Sequence, residues 1–366
     1  MIKLERAYAT ISKDALIHNY QAFSTLVGPD TLVMSVVKAD AYGHGSIEVS
    51  KALEQAGCTY FGVACLEEAI ELRNAGIKAN ILIFGRTDLA NIKYIHEYNL
   101  IQTIISYEYA LEIDECGIDI DAHINIDTGM SRLGIYTHEE SDIENTILEF
   151  RKIAKLDHIN IEGIYTHFAD ADNVDDTFTK KQFKIFNTIV QTLKKDHVCH
   201  GICHCANTSA TLRFPEMKLS MVRIGIGLYG YPQVKTNIEL LPVMSLYAEV
   251  EDIHHLKPND SVSYVRRYYV TENKTIATIA IGYADGYLRG STNNDYFIYN
   301  GHKLEEVGTI CMDACMVDAT GTNIKIGDYV EVFGENKTVS VIAKHLNTIE
   351  YEVLCGIGKR IHRIYK

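Results

Sequence analysis

Five side chains able to carry positive charge stand at equivalent places along this chain. Lys38 closes the apolar run LVMSVVK and opens ADAYGHG. Arg132 lies in DTGMSRLG, at the end of the run DAHINID. His167 closes IEGIYTH, His204 sits in GICHC, and Arg223 sits in VRIGIGLYG. No cluster of carboxylates joins them. A lysine whose pKa is lowered by burial can form a Schiff base with an aldehyde. Gly225 and Thr208, with the backbone N–H groups around them, suit a phosphate. An aldehyde and a phosphate in one ligand point to pyridoxal 5'-phosphate. Taken singly, each residue has a plainer reading. Lys38 is then a strand-end lysine, the arginines form structural ion pairs, and His167 is a satisfied interior histidine. Their joint placement is what favours the chemistry.

The elements that must position them follow a simple alternation. Eight short apolar runs, at 32–38, 59–64, 80–85, 101–105, 121–127, 161–167, 201–205 and 222–230, read as strands. Amphipathic stretches separate them. LEEAIELRNAG spaces Leu66, Ala69, Ile70 and Leu72 on one helical face and stops at Gly76. Runs that are apolar throughout belong to a sheet covered on both faces. Eight β-then-α units predict a (β/α)8 barrel, whose functional groups gather at the strand C-termini. A doubly wound open sheet is the competing architecture on pattern alone. Beyond about residue 235, alternating segments such as SLYAEVEDIHHL and DYVEVFG predict a mainly β domain. RAYATIS, near the start, is strand-like and is expected to pair with that domain. The expected division is therefore 1–11, 12–235 and 236–366.

Composition narrows the class. The 366 residues are 47% hydrophobic and 23% charged, enough for a large core. A net charge of −13 argues against nucleic acid and against an anionic membrane surface. No apolar run is long enough to span a bilayer, and the first residues lack the apolar stretch of a signal peptide. Nine scattered cysteines fit reduced thiols and a cytoplasmic setting.

The motifs VVKADAYGHG, DTGMSRLG, THFADAD, HCANTSATLRFP, MVRIGIGLYG, IGYADGYLR, VGTICMDA and NTIEYEVLC resemble those of the alanine racemases, in order and over nearly the whole chain. That family combines a (β/α)8 barrel with a β domain. The resemblance implies a homodimer with shared active sites that interconverts L- and D-alanine by proton transfer between two bases, supplying D-alanine for peptidoglycan. Lys38 would hold pyridoxal 5'-phosphate and act as one base. Tyr283, from the β domain of the partner subunit, would be the other. Tyr42, Thr208, Gly225, Ile226 and Tyr351 would hold the phosphate. Arg223 would face the pyridine nitrogen, His167 would lie against the ring, linked to Arg223 and Tyr283, and His204 would support Arg223 from behind. Arg132 and the N–H of Met312 would hold the substrate carboxylate. An unperturbed tyrosine has a pKa of about 10 and needs positive neighbours to serve as a base. Arginine does not readily give up its proton, so Arg223 would keep the pyridine nitrogen unprotonated and limit side reactions.

Some positions depart from the family pattern. Asn125 stands where a lysine, in some members carbamylated, is common; an anion such as chloride beside Arg132 would take its place. Thr208 replaces a serine and keeps the hydroxyl. Thr309 stands where a basic residue is common near the substrate's path, and Asp40 where asparagine is common. A serine racemase is the nearest alternative, but Tyr351 should crowd a hydroxymethyl group. A decarboxylase of the same barrel type would offer an acid where Arg223 stands. A non-catalytic cofactor carrier would lack the β domain. One dense stretch, HVCHGICHC at 197–205, suggests a metal site. On a strand, however, Cys203 and Cys205 share one face and His204 points to the other. The spacing from Cys199 also fits neither haem attachment nor a zinc ribbon. We expect no metal there, and His204 as the one working residue.

Overall fold

The structure is a computed structural model that describes residues 6–198 and 201–366. Its strands are β1 (Ala7–Ile11), β2 (Leu32–Val36), β3 (Tyr60–Val63), β4 (Asn80–Ile83), β5 (Ile101–Ile104), β6 (Ile120–Asp127), β7 (Ile135–Tyr136), β8 (Ile159–Tyr165), β9 (Ile202–His204) and β10 (Met221–Ile224). Then follow β11 (Met244–Leu256), β12 (Ser261–Val262), β13 (Tyr268–Tyr269), β14 (Lys274–Ile279), β15 (Tyr296–Tyr299), β16 (His302–Glu305), β17 (Cys315–Asp318), β18 (Tyr329–Phe333) and β19 (His362–Tyr365). Contacts divide the chain into two compact units. One comprises Leu16–Ala41 and Ser46–Leu241; the other comprises the residues through Ala15, Tyr42–Gly45 and Pro242–Lys366.

The first unit is a closed barrel. Its sheet runs β5-β4-β3-β2-β10-β9-β8-β6, and β5 pairs with β6 to close the ring. All these pairings are parallel. The eight predicted runs are the eight barrel strands. The last is shorter than its run: β10 stops at Ile224, and Ile226–Tyr229 is a 3-10 turn. β3, β5 and β10 are buried at every position, as strands covered on both faces must be. Met34, Tyr60, Leu82, Ile101, Tyr165 and Met221 pack into one cluster of the core.

The second unit is mainly β. Its sheet runs β16-β15-β18-β11-β1-β19, with β14 paired to β11 and β17 to β14. β1 lies antiparallel to β11 and parallel to β19. β1 and the first half of β11 bury alternate residues, so one face meets a core and the other does not. Among the described residues no helix is long and apolar enough to cross a membrane.

Candidate active site

Lys38 follows β2 and begins a turn of unusual hand. Ala39, Asp40 and Ala41 have φ/ψ of 53/52, 53/47 and 52/51, and Tyr42 has φ 54. This is left-handed helix built from residues other than glycine, at a cost of roughly 1–2 kcal/mol per residue. Neighbouring groups hold it. The Glu68 carboxylate accepts the N–H of Ala39 at 2.7 Å through one oxygen and the N–H of Ala64 at 2.7 Å through the other. Asp40 Oδ1 accepts the N–H of Ser46 at 2.7 Å. Strain of this kind clusters at functional sites, and this turn directly follows Lys38.

Across the same barrel, Arg223 is almost wholly buried on β10. Its Nη1 donates to His204 Nδ1 at 2.9 Å. Its Nη2 donates to Thr166 O at 2.8 Å and to His167 Nδ1 at 3.1 Å. Nη2 also reaches Cys205 O at 3.2 Å, and no bond of Nε appears among the described residues, which leaves the Nε N–H for a ligand. Burial pushes the guanidinium down to about 10, still protonated at neutral pH. His167 is held well below its ordinary value, first by burial and then by Arg223, Arg132 and Lys38. His204 is likewise held down, by burial and then by Arg223 and His123. Both rings are therefore neutral, and Arg223 keeps the charge. His123, which the sequence reading passed over, is fully buried on β6 and meets His204 at 2.9 Å. Only its place in a hydrogen-bond chain, invisible in one sequence, marks it.

Thr208 opens the helix Thr208–Arg213, whose cap Asn207 accepts the N–H of Ala210 at 2.9 Å. The Thr208 hydroxyl oxygen accepts the N–H of Gly225 at 3.2 Å and of Gly227 at 3.4 Å. Its own proton then remains to be donated to an acceptor, as a phosphate requires. Ile226 follows Gly225 at the start of the 3-10 turn. Asn125 ends the core of β6 and donates through Nδ2 to Leu133 O at 2.8 Å. It thus braces the loop that carries Arg132, itself exposed.

In the β unit, Tyr42 and Tyr351 stack obliquely with ring centroids 5.8 Å apart. Burial, then the neighbouring Tyr351 and Cys355, raises the Tyr42 phenol far above its ordinary value, so it stays a donor. Tyr283 donates its N–H to Cys311 O at 3.2 Å, and Ala284 donates to Met312 O at 3.0 Å. The approach is so close that a side chain at Gly282 would collide with the carbonyls of Cys311 and Met312. Tyr283 and Met312 are therefore brought together, both exposed. Tyr264 joins them, lining a pocket of about 370 Å³ with Tyr283, Arg289, Ile310 and Cys311. The Tyr264 residue is 67% exposed, against 40% for Tyr283. It rides a turn in which Ser263, Val265 and Arg266 have φ of 63, 61 and 51. Thr309 is 1% exposed, and its hydroxyl donates to Tyr264 O at 2.9 Å. The hydroxyl at position 309 thus holds this turn. The sequence reading did not single out Tyr264. It lies in SYVRRYY, in the turn between the short strands β12 and β13.

In HVCHGICHC, Cys199 and His200 lie outside the described residues. Cys203 and Cys205 are buried packing groups, and both nitrogens of His204 are used by Arg223 and His123.

Comparison with known proteins gives one result throughout. Residues 11–233 match the family model for the alanine racemase N-terminal domain, and residues 243–365 match that for the C-terminal domain. The chain is 40% identical to an alanine racemase of Methanococcus maripaludis, over 98% of both chains. It superposes on the alanine racemase of Clostridium difficile 630 with a TM-score of 0.93 at 38% identity, covering 99% of this chain and 96% of the other. It also superposes on alanine racemase from Bartonella henselae with covalently bound pyridoxal phosphate, with a TM-score of 0.88 at 31% identity over 99% of each.

Proposed function

The chain belongs to the alanine racemase family, isomerases that interconvert L- and D-alanine, and on that premise we propose how its residues carry the reaction. The cofactor is pyridoxal 5'-phosphate, bound to Lys38 and facing Arg223. The observation that carries this is the Arg223 group: a buried, charged guanidinium fixed by His204, His167 and the backbone carbonyls of Thr166 and Cys205, with Nε left over. When bound, the cofactor draws electrons from the substrate's Cα. The protein does the rest. Thr208, Gly225, Ile226, Tyr42 and Tyr351 hold the phosphate. Arg132 and the Met312 N–H hold the substrate carboxylate, and a chloride beside Asn125 steadies Arg132. Lys38 takes or returns the Cα proton on one face, and a tyrosine of the partner's β unit serves the other. A donor that stays protonated opposite the pyridine nitrogen favours return of the proton over loss of the amino group.

The sequence alone assigned the tyrosine's role to Tyr283. The geometry supports Tyr264 more strongly. Its ring is freer, its turn carries stored strain, Thr309 fixes its carbonyl, and Arg266 follows two residues on. Tyr283 instead ties its backbone to the Met312 segment. The test is racemisation by cofactor-loaded Tyr264→Phe and Tyr283→Phe, measured from both enantiomers. Tyr264→Phe is expected to lose roughly 100-fold or more in turnover, unequally in the two directions. Tyr283→Phe is expected to change KM more than kcat. The reverse pattern returns the base to Tyr283, and full activity in both removes tyrosine from the mechanism. The reading places the enzyme in the cytoplasm as a homodimer that supplies D-alanine for peptidoglycan.

A further inference from the structure

Among the described residues, the strongest unexplained group is His123. It projects from β6 into the barrel unit, fully buried. An ordinary interior histidine has both ring nitrogens satisfied. Here Nδ1 meets His204 Nε2 at 2.9 Å, while Nε2 is buried with no partner among the described residues. The fold also makes room for this ring at another residue's expense. A Cβ at Gly163, on the adjacent β8, would lie 2.6–2.7 Å from three atoms of the imidazole. An apolar side chain would fill the same space without an orphaned N–H. The return must therefore come through Nδ1.

The direction of the chain follows from arginine alone. Arg223 has no acceptor, so its Nη1 must donate, and His204 Nδ1 must be unprotonated. A neutral His204 then carries its proton on Nε2. That proton needs an acceptor, and His123 Nδ1 is the atom opposite it. His123 Nδ1 is in turn unprotonated, which places its own proton on the orphaned Nε2. Were His123 to carry a proton on Nδ1, His204 would have to reverse and point an N–H at the guanidinium. The rings lie tightly boxed: Tyr165 stacks on His204 with centroids 4.8 Å apart, and Tyr60 flanks His123 at 6.3 Å. Burial, then Arg223, pushes His123 down to about 3, which keeps it neutral.

We propose that His123 is a positioning residue that fixes the tautomer of His204 and, through it, the aim of Arg223. This rests on the reading of Arg223 as the partner of the cofactor's pyridine nitrogen, but its first test does not. Histidine-selective 15N spectra of the wild-type protein report which ring nitrogen is protonated. Both His123 and His204 are expected to carry one proton each, on Nε2, unchanged from about pH 8 to about pH 5, where an ordinary histidine would titrate. A proton on Nδ1 of either ring, or titration of His123 in that range, overturns the proposal whether or not the protein racemises alanine.

The second test uses the cofactor-loaded enzyme. His123→Leu removes the acceptor, and His123→Asn offers an amide oxygen near the place of Nδ1. The leucine variant is expected to lose roughly 10-fold in kcat with KM within about two-fold, as for other residues that orient a functional side chain. The visible absorbance of the bound cofactor should titrate at a shifted pH. The asparagine variant should restore both. Wild-type kcat and absorbance in His123→Leu, or equal losses in both variants, would count against the assignment. A wild-type enzyme that does not racemise alanine would instead defeat the functional reading and leave the nitrogen states to stand on their own.

Discussion

Gly163 is small because His123 is large. Replacing it with alanine pushes a methyl group into the imidazole, an overpacking that costs about 1–3 kcal/mol. Gly163→Ala is expected to lower the urea midpoint by a corresponding amount and to lower kcat with it; equal stability to the wild type would mean that β8 or the ring can shift freely. Asn125 acts at similar range. Its amide braces Leu133 O beside Arg132, so Asn125→Ala should raise KM for alanine several-fold while kcat falls less, read from initial rates. Exchange of chloride for gluconate should move KM the same way. At this scale the sequence was readable where a residue ends a strand. Lys38, His167, His204 and Arg223 stand out because a barrel presents strand ends to one mouth. His123 did not stand out, because a histidine inside an apolar run looks like core. Tyr264 did not either, because its case rests on exposure and on backbone angles that no residue spacing encodes.

Elements show the same split. The barrel strands were legible because each is a short apolar run between helical stretches, and burial on both faces imposes that composition. The turn after Lys38 was not. Four consecutive residues other than glycine with φ near 50 contradict local preference, and only the surrounding hydrogen bonds make the conformation affordable. Local preference therefore predicts an inverted response to glycine. Ala39 is exposed, so Ala39→Gly loses little packing. It relieves roughly 1–2 kcal/mol of left-handed strain and adds back about 0.5–1 kcal/mol of unfolded-chain entropy. The variant should match or exceed the wild-type melting temperature, whereas Ala39→Val should fall below it. Glu68 supplies the opposite test. Its two oxygens hold Ala39 and Ala64, so Glu68→Ala frees the turn. Equilibrium dialysis should then show weaker cofactor retention with the barrel's far-UV spectrum unchanged.

Over the whole molecule, three buried or partly buried histidines weaken the fold in acid. His123, His167 and His204 all have folded pKa values below the unfolded value near 6.5. The unfolded chain binds their protons first as pH falls, so their contribution to stability is full above about pH 6.5 and drops below it. Each of these rings removes up to about 1.4 kcal/mol per pH unit until its folded pKa is reached, about 3 for His123. Denaturation at a series of pH values should show that slope, reduced in His123→Leu by one proton's worth.

The proposed sharing of residues between subunits gives a test that no monomer could pass. Tyr264, Tyr283 and Met312 belong to the unit that contains Pro242–Lys366, and Lys38 to the unit that contains Leu16–Ala41. Suppose each site combines Lys38 of one subunit with Tyr264 of the other. Lys38→Ala and Tyr264→Phe homodimers are then both inactive. In a mixed dimer, the subunit that retains Lys38 meets the partner that retains its tyrosine, and that site is wild type; the other site lacks both groups. Random reassociation of equal amounts makes half the dimers mixed, with one good site in two, so about a quarter of wild-type activity should return. Activity that stays at the level of the separate variants, in a mixture shown by native mass spectrometry to contain mixed dimers, would mean that lysine and tyrosine serve a site within one chain.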